Sequence, residues 1–142
     1  MQGWTIIVAV IGFVLLDIAV VFGLVLPAIV RASWGAIADR HPPAEPAPDA
    51  VGREFQSFKF GLLNLGWSVH VEVDDRHLHL RPALFARLMR CRAMSIPWEE
   101  IRLQGRARAG MRRAMIGRTL VWGPAWCMEL AGGDAGAGDV AH

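Results

Sequence analysis

Three histidines and a glutamate lie close together around residue 75 of the chain. Between residues 68 and 81 the sequence reads SVHVEVDDRHLHLR, in which His70, Glu72, His77 and His79 take alternate positions on two short segments. Alternate side chains of a β-strand share one face, and imidazole and carboxylate groups are zinc ligands. No fourth ligand stands out, so a solvated polar face with a His–Glu pair across the two strands is favoured. We predict no metal and no cofactor.

A second candidate for chemistry is Cys91, which lies among Arg87, Arg90 and Arg92. Positive neighbours lower a thiol pKa and favour the nucleophilic thiolate. The sequence pairs no histidine with Cys91 that could act as its general base. The chain also has no glycine-rich phosphate loop, G-x-S-x-G or H-E-x-x-H motif. An enzyme using Cys91 or the histidines is therefore the least favoured hypothesis, and we predict a protein that is not an enzyme. Only one other cysteine, Cys127, is present, which excludes a disulfide-dense scaffold and a four-cysteine zinc site.

Positive charge is the stronger chemical signal. Nine arginines and two glutamates lie between residues 87 and 118, a formal charge of +7, although the whole chain carries only +2. On a strand after Ile101, positions 102, 104, 106 and 108 share one face. We predict that this face contacts anionic lipid headgroups or an acidic partner. Near an anionic membrane, each basic residue contributes a binding free energy of about 1 kcal/mol. The predicted contact residues are Arg102, Arg106, Arg108, Arg112 and Arg113.

Two other interpretations of these arginines remain open. They can form a merely solvated face that reflects the bias of basic residues toward the cytoplasmic side of a membrane. Nucleic acid is a third target for arginines, but interleaved exposed aromatic residues are lacking, so no nucleic acid is expected.

The element that positions this charge is an apolar N-terminal segment. From Trp4 to Val30 the 27 residues are apolar except for Thr5 and Asp17. About 20 residues cross a hydrocarbon core of ~30 Å, so the run predicts one transmembrane helix over 4–34. Trp4 and Trp34 would then lie in the two aromatic belts. A cleaved signal peptide is disfavoured, because the start has no basic residue and the run is too long. Pro27 could kink the helix as it leaves the bilayer.

Basic residues predict the orientation of this helix. None precedes it, whereas Arg31, Arg40 and Arg53 follow it. Arginine and lysine are enriched on the cytoplasmic side, so we predict a single-pass protein with its N-terminus outside and its C-terminal domain in the cytoplasm.

The helix also offers contact residues within the membrane. A carboxylate near the bilayer centre costs about 2.5–3.5 kcal/mol, so Asp17 either pairs with a polar group of another membrane protein or is tolerated in protonated form. Gly12, Ala19 and Gly23 share a second face, where small residues allow close helix packing. The alternative function is therefore a small structural or adaptor subunit of a membrane complex, docked through the helix that contains Asp17. The oligomeric state stays undetermined.

The rest of the chain predicts a linker, a small β-domain and a tail. Residues 35–53 form a proline-rich spacer, and residues 132–142 have almost nothing to bury and predict disorder. Residues 54–131 show alternation typical of six or seven short strands, an antiparallel sheet or partly open barrel. Its best-defined part is a hairpin turning at Asp75–Arg76, with Val73 opposite Leu78. Residues 115–122 and 125–130 predict a final strand pair around Gly123–Pro124.

One stretch of this domain resembles a known family. The run MSIPWEEI over 94–101 resembles that of uncharacterised bacterial single-pass membrane proteins with a small domain similar to pleckstrin-homology or GRAM folds. The paired prolines that often precede the motif in that family are absent here. The resemblance implies a PH-like domain in the bacterial inner membrane and supplies no catalytic residue. From the residues themselves, Ile96, Pro97 and Trp98 are interpreted as a strand end, a strand stop and an aromatic core plug.

Overall fold

A single long helix dominates the N-terminal part of the protein. The computed structural model describes residues 2–132, and in it helix α1 spans Gln2–Arg40. All side chains from residue 2 to residue 25 are exposed, and this part is apolar and long enough to cross a membrane. Two wide π-type turns, Val21–Val25 and Arg31–Gly35, lie on either side of Pro27. Because proline lacks an N–H, the helix is wound irregularly there but does not end.

The last part of α1 belongs to the β-domain and not to the membrane. Val30, Trp34, Ile37 and Ala38 are buried in the core. The Trp34 indole donates a hydrogen bond of 2.6 Å to the carbonyl oxygen of Arg92, and its ring meets Phe60 edge to face at 4.9 Å. The prediction that Trp34 lies in an aromatic belt is therefore wrong. Trp34 is buried in the hydrophobic core of the domain, where it packs against Phe60, a residue 26 positions later in the chain.

The β-domain is one antiparallel seven-stranded sheet curved into a half-barrel, which confirms the predicted combination of one helix and a small β-domain. Its order is β4-β3-β2-β1-β7-β6-β5. Two short helices complete the domain, α2 at Leu84–Leu88 and α3 at Ala125–Met128. The strands are β1 Val51–Phe60, β2 Leu63–Val73, β3 His77–Pro82, β4 Met94–Pro97, β5 Ile101–Arg108, β6 Met111–Ile116 and β7 Thr119–Pro124.

The predicted hairpin is confirmed residue by residue. Val73 pairs with Leu78, Val71 with Leu80 and Glu72 with His79. The amide of Asp74 donates to the carbonyl of His77 at 3.2 Å across the two-residue turn. The turn and the alternation both specify this register, because a slip of one residue would place the apolar side chains on the polar face.

The last predicted strand pair is wrong. β6 and β7 form the final hairpin, and they turn at Gly117, whose φ is +62°. The chain after Pro124 forms α3 and a 3₁₀ turn over Glu129–Gly132. There Cys127 and Met128 are buried, so this segment covers the open half-barrel. Its apolar residues fit either a strand or a helix, because periodicity does not distinguish the two in a run this short.

The proline-rich segment is shorter than predicted and is not a free spacer. Helix α1 continues to Arg40 and β1 begins at Val51, so the irregular part is residues 41–50. It lies along the β2–β3 hairpin and β4, where the amide of Ala44 donates to Ser95 Oγ at 2.7 Å. The amide of Ala47 donates to Asp74 Oδ2 at 3.1 Å. Of the predicted tail, Gly132 ends the 3₁₀ turn and the remainder lies outside the described residues.

Candidate functional site: an arginine-lined cleft

The outer face of strands β5 and β6 carries a basic cleft of about 420 Å³. A bulge forms its floor: the register shifts between Gln104 and Arg108, and Gly105 has φ +64°, a conformation that favours glycine. The bulge leaves residues 105–107 unpaired and turns the strand outward. We call this site the arginine cleft, and its lining is Gln104, Gly105, Arg106, Ala107, Arg108, Arg113 and Trp122.

The structure brings together only part of the predicted arginine face. Arg106, Arg108 and Arg113 line the cleft, whereas Arg102 is exposed opposite Met115 nearer the start of β5. Arg112 lies on the opposite face of β6, which it shares with the buried Ala114 and Ile116. Arg112 therefore does not share the face of the cleft, because 112 and 113 are consecutive on a strand and point to opposite sides; its contact with lipid or a partner stays a prediction.

Two cleft features were missed at the sequence level. Trp122 lies beside Arg113 on the neighbouring strand, with the guanidinium carbon 5.6 Å from the ring centroid. Lys59 of β1 is the register partner of Trp122 on the side of β7 away from β6, so a further cation borders the cleft. Trp122 fits the alternation of β7, but its place beside arginine depends on the pairing of β6 with β7.

Among residues 2–132, no carboxylate forms an ion pair with an arginine of the cleft. The sequence from residue 101 to residue 128 contains six arginines and no aspartate or glutamate. Within the described residues 2–132, the arginine ion pairs are Arg81 with Glu72 and Arg92 with Asp39, neither of which is at the cleft. Three unpaired guanidinium groups beside an indole form a surface suited to carboxylate or phosphate groups.

The cleft lies at the end of the β5–β6 pair opposite the Gly117 turn that meets Arg40 of α1. Gly61, after β1, approaches the side chain of Ser33, whereas Gly117, between β6 and β7, contacts the guanidinium of Arg40. Strand β5 follows β6 on the side away from β1. At 1.5 Å per residue, Arg40 is about 20 Å farther along the helix axis than Pro27.

The histidine cluster is a hydrogen-bonded network. Only His79 of the three predicted histidines is buried; its Nδ1 lies 2.7 Å from Ser95 Oγ and its Nε2 lies 2.8 Å from Asp74 Oδ2. The prediction of a solvated outer face is wrong at this residue, because residues 41–50 cover it. Asp74, His77 and His79 have potential ligand atoms within 4.8 Å of one another, but both ring nitrogens of His79 are already engaged.

Asp74 is the centre of this network. Burial of its side chain raises the carboxyl pKa, but His79 and the backbone amides of Arg76, His77 and Ala47 donate hydrogen bonds that outweigh burial, so the pKa lies well below the usual range. The network joins the turn of the β2–β3 hairpin to the proline-rich segment.

The thiols are not activated. Burial raises the pKa of Cys91 to about 11 and that of Cys127 to about 12. The expectation that neighbouring arginines lower the Cys91 pKa is wrong. The side chain is 5% exposed, so desolvation of the thiolate dominates.

The Ile-Pro-Trp motif lies at the edge of the sheet next to the same network. Ile96 is fully buried, Pro97 ends β4, and Trp98 begins a 3₁₀ turn. The Trp98 indole donates to the carbonyl oxygen of Asp74 at 2.9 Å. These contacts are those of a structural motif.

The membrane contact residues lie on the exposed part of α1. Asp17, Gly12, Ala19 and Gly23 are all exposed, and no ion pair or hydrogen bond involves Asp17 within the described residues. No protein family, curated protein or solved structure matches the chain. The fold and the cleft therefore define its class on their own: a β half-barrel on a helix that can span a membrane.

Proposed function

We propose that this protein is a membrane-anchored, non-catalytic binding module whose arginine cleft binds an acidic segment of a cytoplasmic protein. The observation that carries the proposal is the cleft itself, with Arg106, Arg108 and Arg113 around one concavity and no carboxylate among its lining residues. Charge-assisted hydrogen bonds from guanidinium groups to carboxylates are among the stronger polar contacts in proteins. Trp122 supports Arg113 from one side.

The shape of the cleft favours an acidic protein over lipid headgroups. Its floor is the bulge at Gly105 and its lining forms a concavity. An extended acidic segment can enter such a concavity, whereas headgroups present their phosphates as a layer. The proposal includes the predicted orientation, with the N-terminus outside the bacterial inner membrane, and a PH-like character of the half-barrel.

The test measures binding of an acidic peptide to the full chain in nanodiscs. The probe is a fluorescein-labelled peptide of ten residues rich in glutamate, titrated in neutral phosphatidylcholine discs and followed by anisotropy. We expect Arg106→Ala/Arg108→Ala to weaken binding about a hundredfold or more, since each of the two lost charge-assisted contacts is worth on the order of 1.5–3 kcal/mol. The matched control Arg76→Ala/Arg118→Ala removes the same charge from exposed positions elsewhere and should weaken binding much less.

Two results would overturn the proposal. Equal loss in both double variants would show that net charge alone attracts the peptide. Loss of peptide binding by the wild-type chain when the discs contain phosphatidylglycerol would indicate that headgroups occupy the arginines, which is the lipid alternative.

A second candidate function is a structural or adaptor subunit docked through the membrane helix. It is favoured by Asp17, an acidic side chain exposed midway along an otherwise apolar segment, where a polar group usually has a partner. We expect Asp17→Leu to convert a larger assembly into the free chain on native gels of mildly solubilised membranes. Leu16→Ala is the matched control, and the same migration for all three proteins would contradict this function.

A further inference from the structure

The four most exposed large apolar side chains of the β-domain are those of Leu62, Trp67, Leu84 and Leu88, and together with Phe85 they lie near the membrane helix. Most large apolar residues elsewhere in this domain are buried or half-buried. Such a patch on a folded domain generally marks an interaction surface. The exposed fractions are 84% for Leu62, 76% for Trp67, 74% for Leu88, 73% for Leu84 and 58% for Phe85.

Helix α2 presents its apolar side outward. Leu84, Phe85 and Leu88 are exposed, whereas Ala86, between them, is fully buried against the domain. A short helix on a water-soluble surface has the reverse arrangement, with large apolar residues inward. Exposure of three such side chains to water would be unfavourable by about 1.5–3 kcal/mol each relative to a fully buried position.

The exposed apolar side of α2 lies next to the membrane-spanning part of α1. A groove of about 460 Å³ separates them, and Phe22, Gly23 and Leu26 of α1 form one wall while Phe85 and Leu88 of α2 form the other. Phe22 is nine residues before Arg31, about 13 Å deeper along the helix axis. Residues 22–26 lie near the end of the 27-residue apolar run, which exceeds the ~20 residues needed to cross the hydrocarbon core. Their level is therefore that of the interface.

The remaining exposed residues extend this surface around the base of the domain. The amide of Ala83, just before α2, donates to the carbonyl oxygen of Ser68 at 2.8 Å, which places Trp67 beside the start of α2. Leu62 follows Gly61, whose Cα lies next to the Ser33 side chain of α1. Tryptophan is enriched at membrane interfaces, where its ring is partly immersed.

Charge at the rim of the groove fits the same occupant. Arg31 and Arg90 line the groove, and Arg87 is exposed on α2 itself. Cations at the level where apolar side chains enter the bilayer meet the lipid phosphates.

We infer that the β-domain rests on the bilayer, with α2 immersed in the interface through Leu84, Phe85 and Leu88 and with Arg31, Arg87 and Arg90 at the phosphates. The bilayer is the occupant because the apolar surface continues directly into the membrane helix.

The test measures depth in the membrane with single labels on the full chain. Leu84→Cys and Leu88→Cys are each labelled with a maleimide fluorophore sensitive to polarity. Both side chains are exposed, so neither change removes core packing. Cys91 and Cys127 are buried with raised pKa values and react slowly at pH 7. Asp75→Cys, exposed on the β2–β3 turn, is the matched control.

Each labelled chain is reconstituted as a single copy per nanodisc. We expect lipids with a nitroxide near the headgroup to quench the labels at 84 and 88 at least about threefold more than the label at 75, since interfacial helices lie ~5–10 Å deep. Aqueous iodide should show the opposite order. Equal iodide quenching at all three positions would overturn the inference. Protection from iodide that appears only with two chains per disc would also overturn it, in favour of a second copy as the occupant.

Discussion

At the scale of single residues, Asp74 connects three parts of the chain. Its carboxylate accepts hydrogen bonds from His79, from the amides of Arg76 and His77 in the hairpin turn, and from Ala47 in the proline-rich segment. The side chain is 4% exposed, so these bonds are formed largely out of water, where an unmet partner is costly.

This arrangement predicts a loss of stability in acid. The pKa of Asp74 is lowered in the folded protein, so its contribution is fully present above the ordinary aspartate pKa of about 3.9 and is lost as the pH falls below it. We expect the free energy of unfolding of the β-domain to fall as the pH is lowered from about 5. Guanidinium titration in nonionic detergent measures it at each pH.

The variant Asp74→Asn isolates this residue. It should lose on the order of 1–3 kcal/mol at pH 7 and show a flatter dependence below pH 5. Asp75→Asn, on the exposed neighbour in the same turn, is the control and should follow the wild-type curve. A parallel pH dependence in Asp74→Asn and the wild type would show that other carboxylates are responsible.

At the scale of elements, α3 closes the half-barrel against β7. Gly123 of β7 has no side chain, and the space of a Cβ atom is filled by Phe58 of β1 at 2.5 Å and by Met128 of α3 at 2.9 Å. Close approach of this kind requires glycine, and it lets the three elements pack in contact.

We therefore expect Gly123→Ala to destabilise the β-domain by about 1–3 kcal/mol, because overpacking forces buried neighbours to shift. Thermal unfolding followed by near-ultraviolet circular dichroism measures the change. Gly66→Ala in β2 is the matched control, since nothing lies within 4 Å of its added methyl group. An unchanged midpoint for Gly123→Ala would mean that Phe58 and Met128 move apart freely.

At the scale of the whole molecule, α1 has two different roles in one helix. Residues 2–25 are exposed and apolar, and Trp34 and Ile37 near the other end are fully buried in the domain. Because the helix continues without a break between these parts, helical backbone joins the domain directly to the apolar segment.

The orientation in the membrane gives the prediction at this scale. Arg31 and Arg40 follow the apolar segment, and basic residues are enriched on the cytoplasmic side, so we predict a cytoplasmic domain. In cells expressing Asp75→Cys, an impermeant maleimide should label the protein only after permeabilisation. Gln2→Cys, at the other end of α1, should be labelled in intact cells. Labelling of Asp75→Cys in intact cells would place the domain outside and exclude a cytoplasmic partner.

Much of the architecture follows from the sequence because it depends on near neighbours along the chain. The length of the apolar run determines that α1 can span a membrane, and the alternation around Asp75–Arg76 determines the register of β2 and β3. The arginines of the cleft were also predicted in part, since Arg106 and Arg108 lie two residues apart on one strand.

Other features depend on segments far apart in sequence, and only the tertiary structure decided them. The Trp34 indole bonds to a residue 58 positions away, and His79 is buried because Ala44 meets Ser95 across 51 positions. The bulge at Gly105 decides which arginines share the cleft, and burial decides that the Cys91 thiol stays protonated. Periodicity specifies which side chains share a face, whereas what covers that face is determined by the free energy of packing distant segments together.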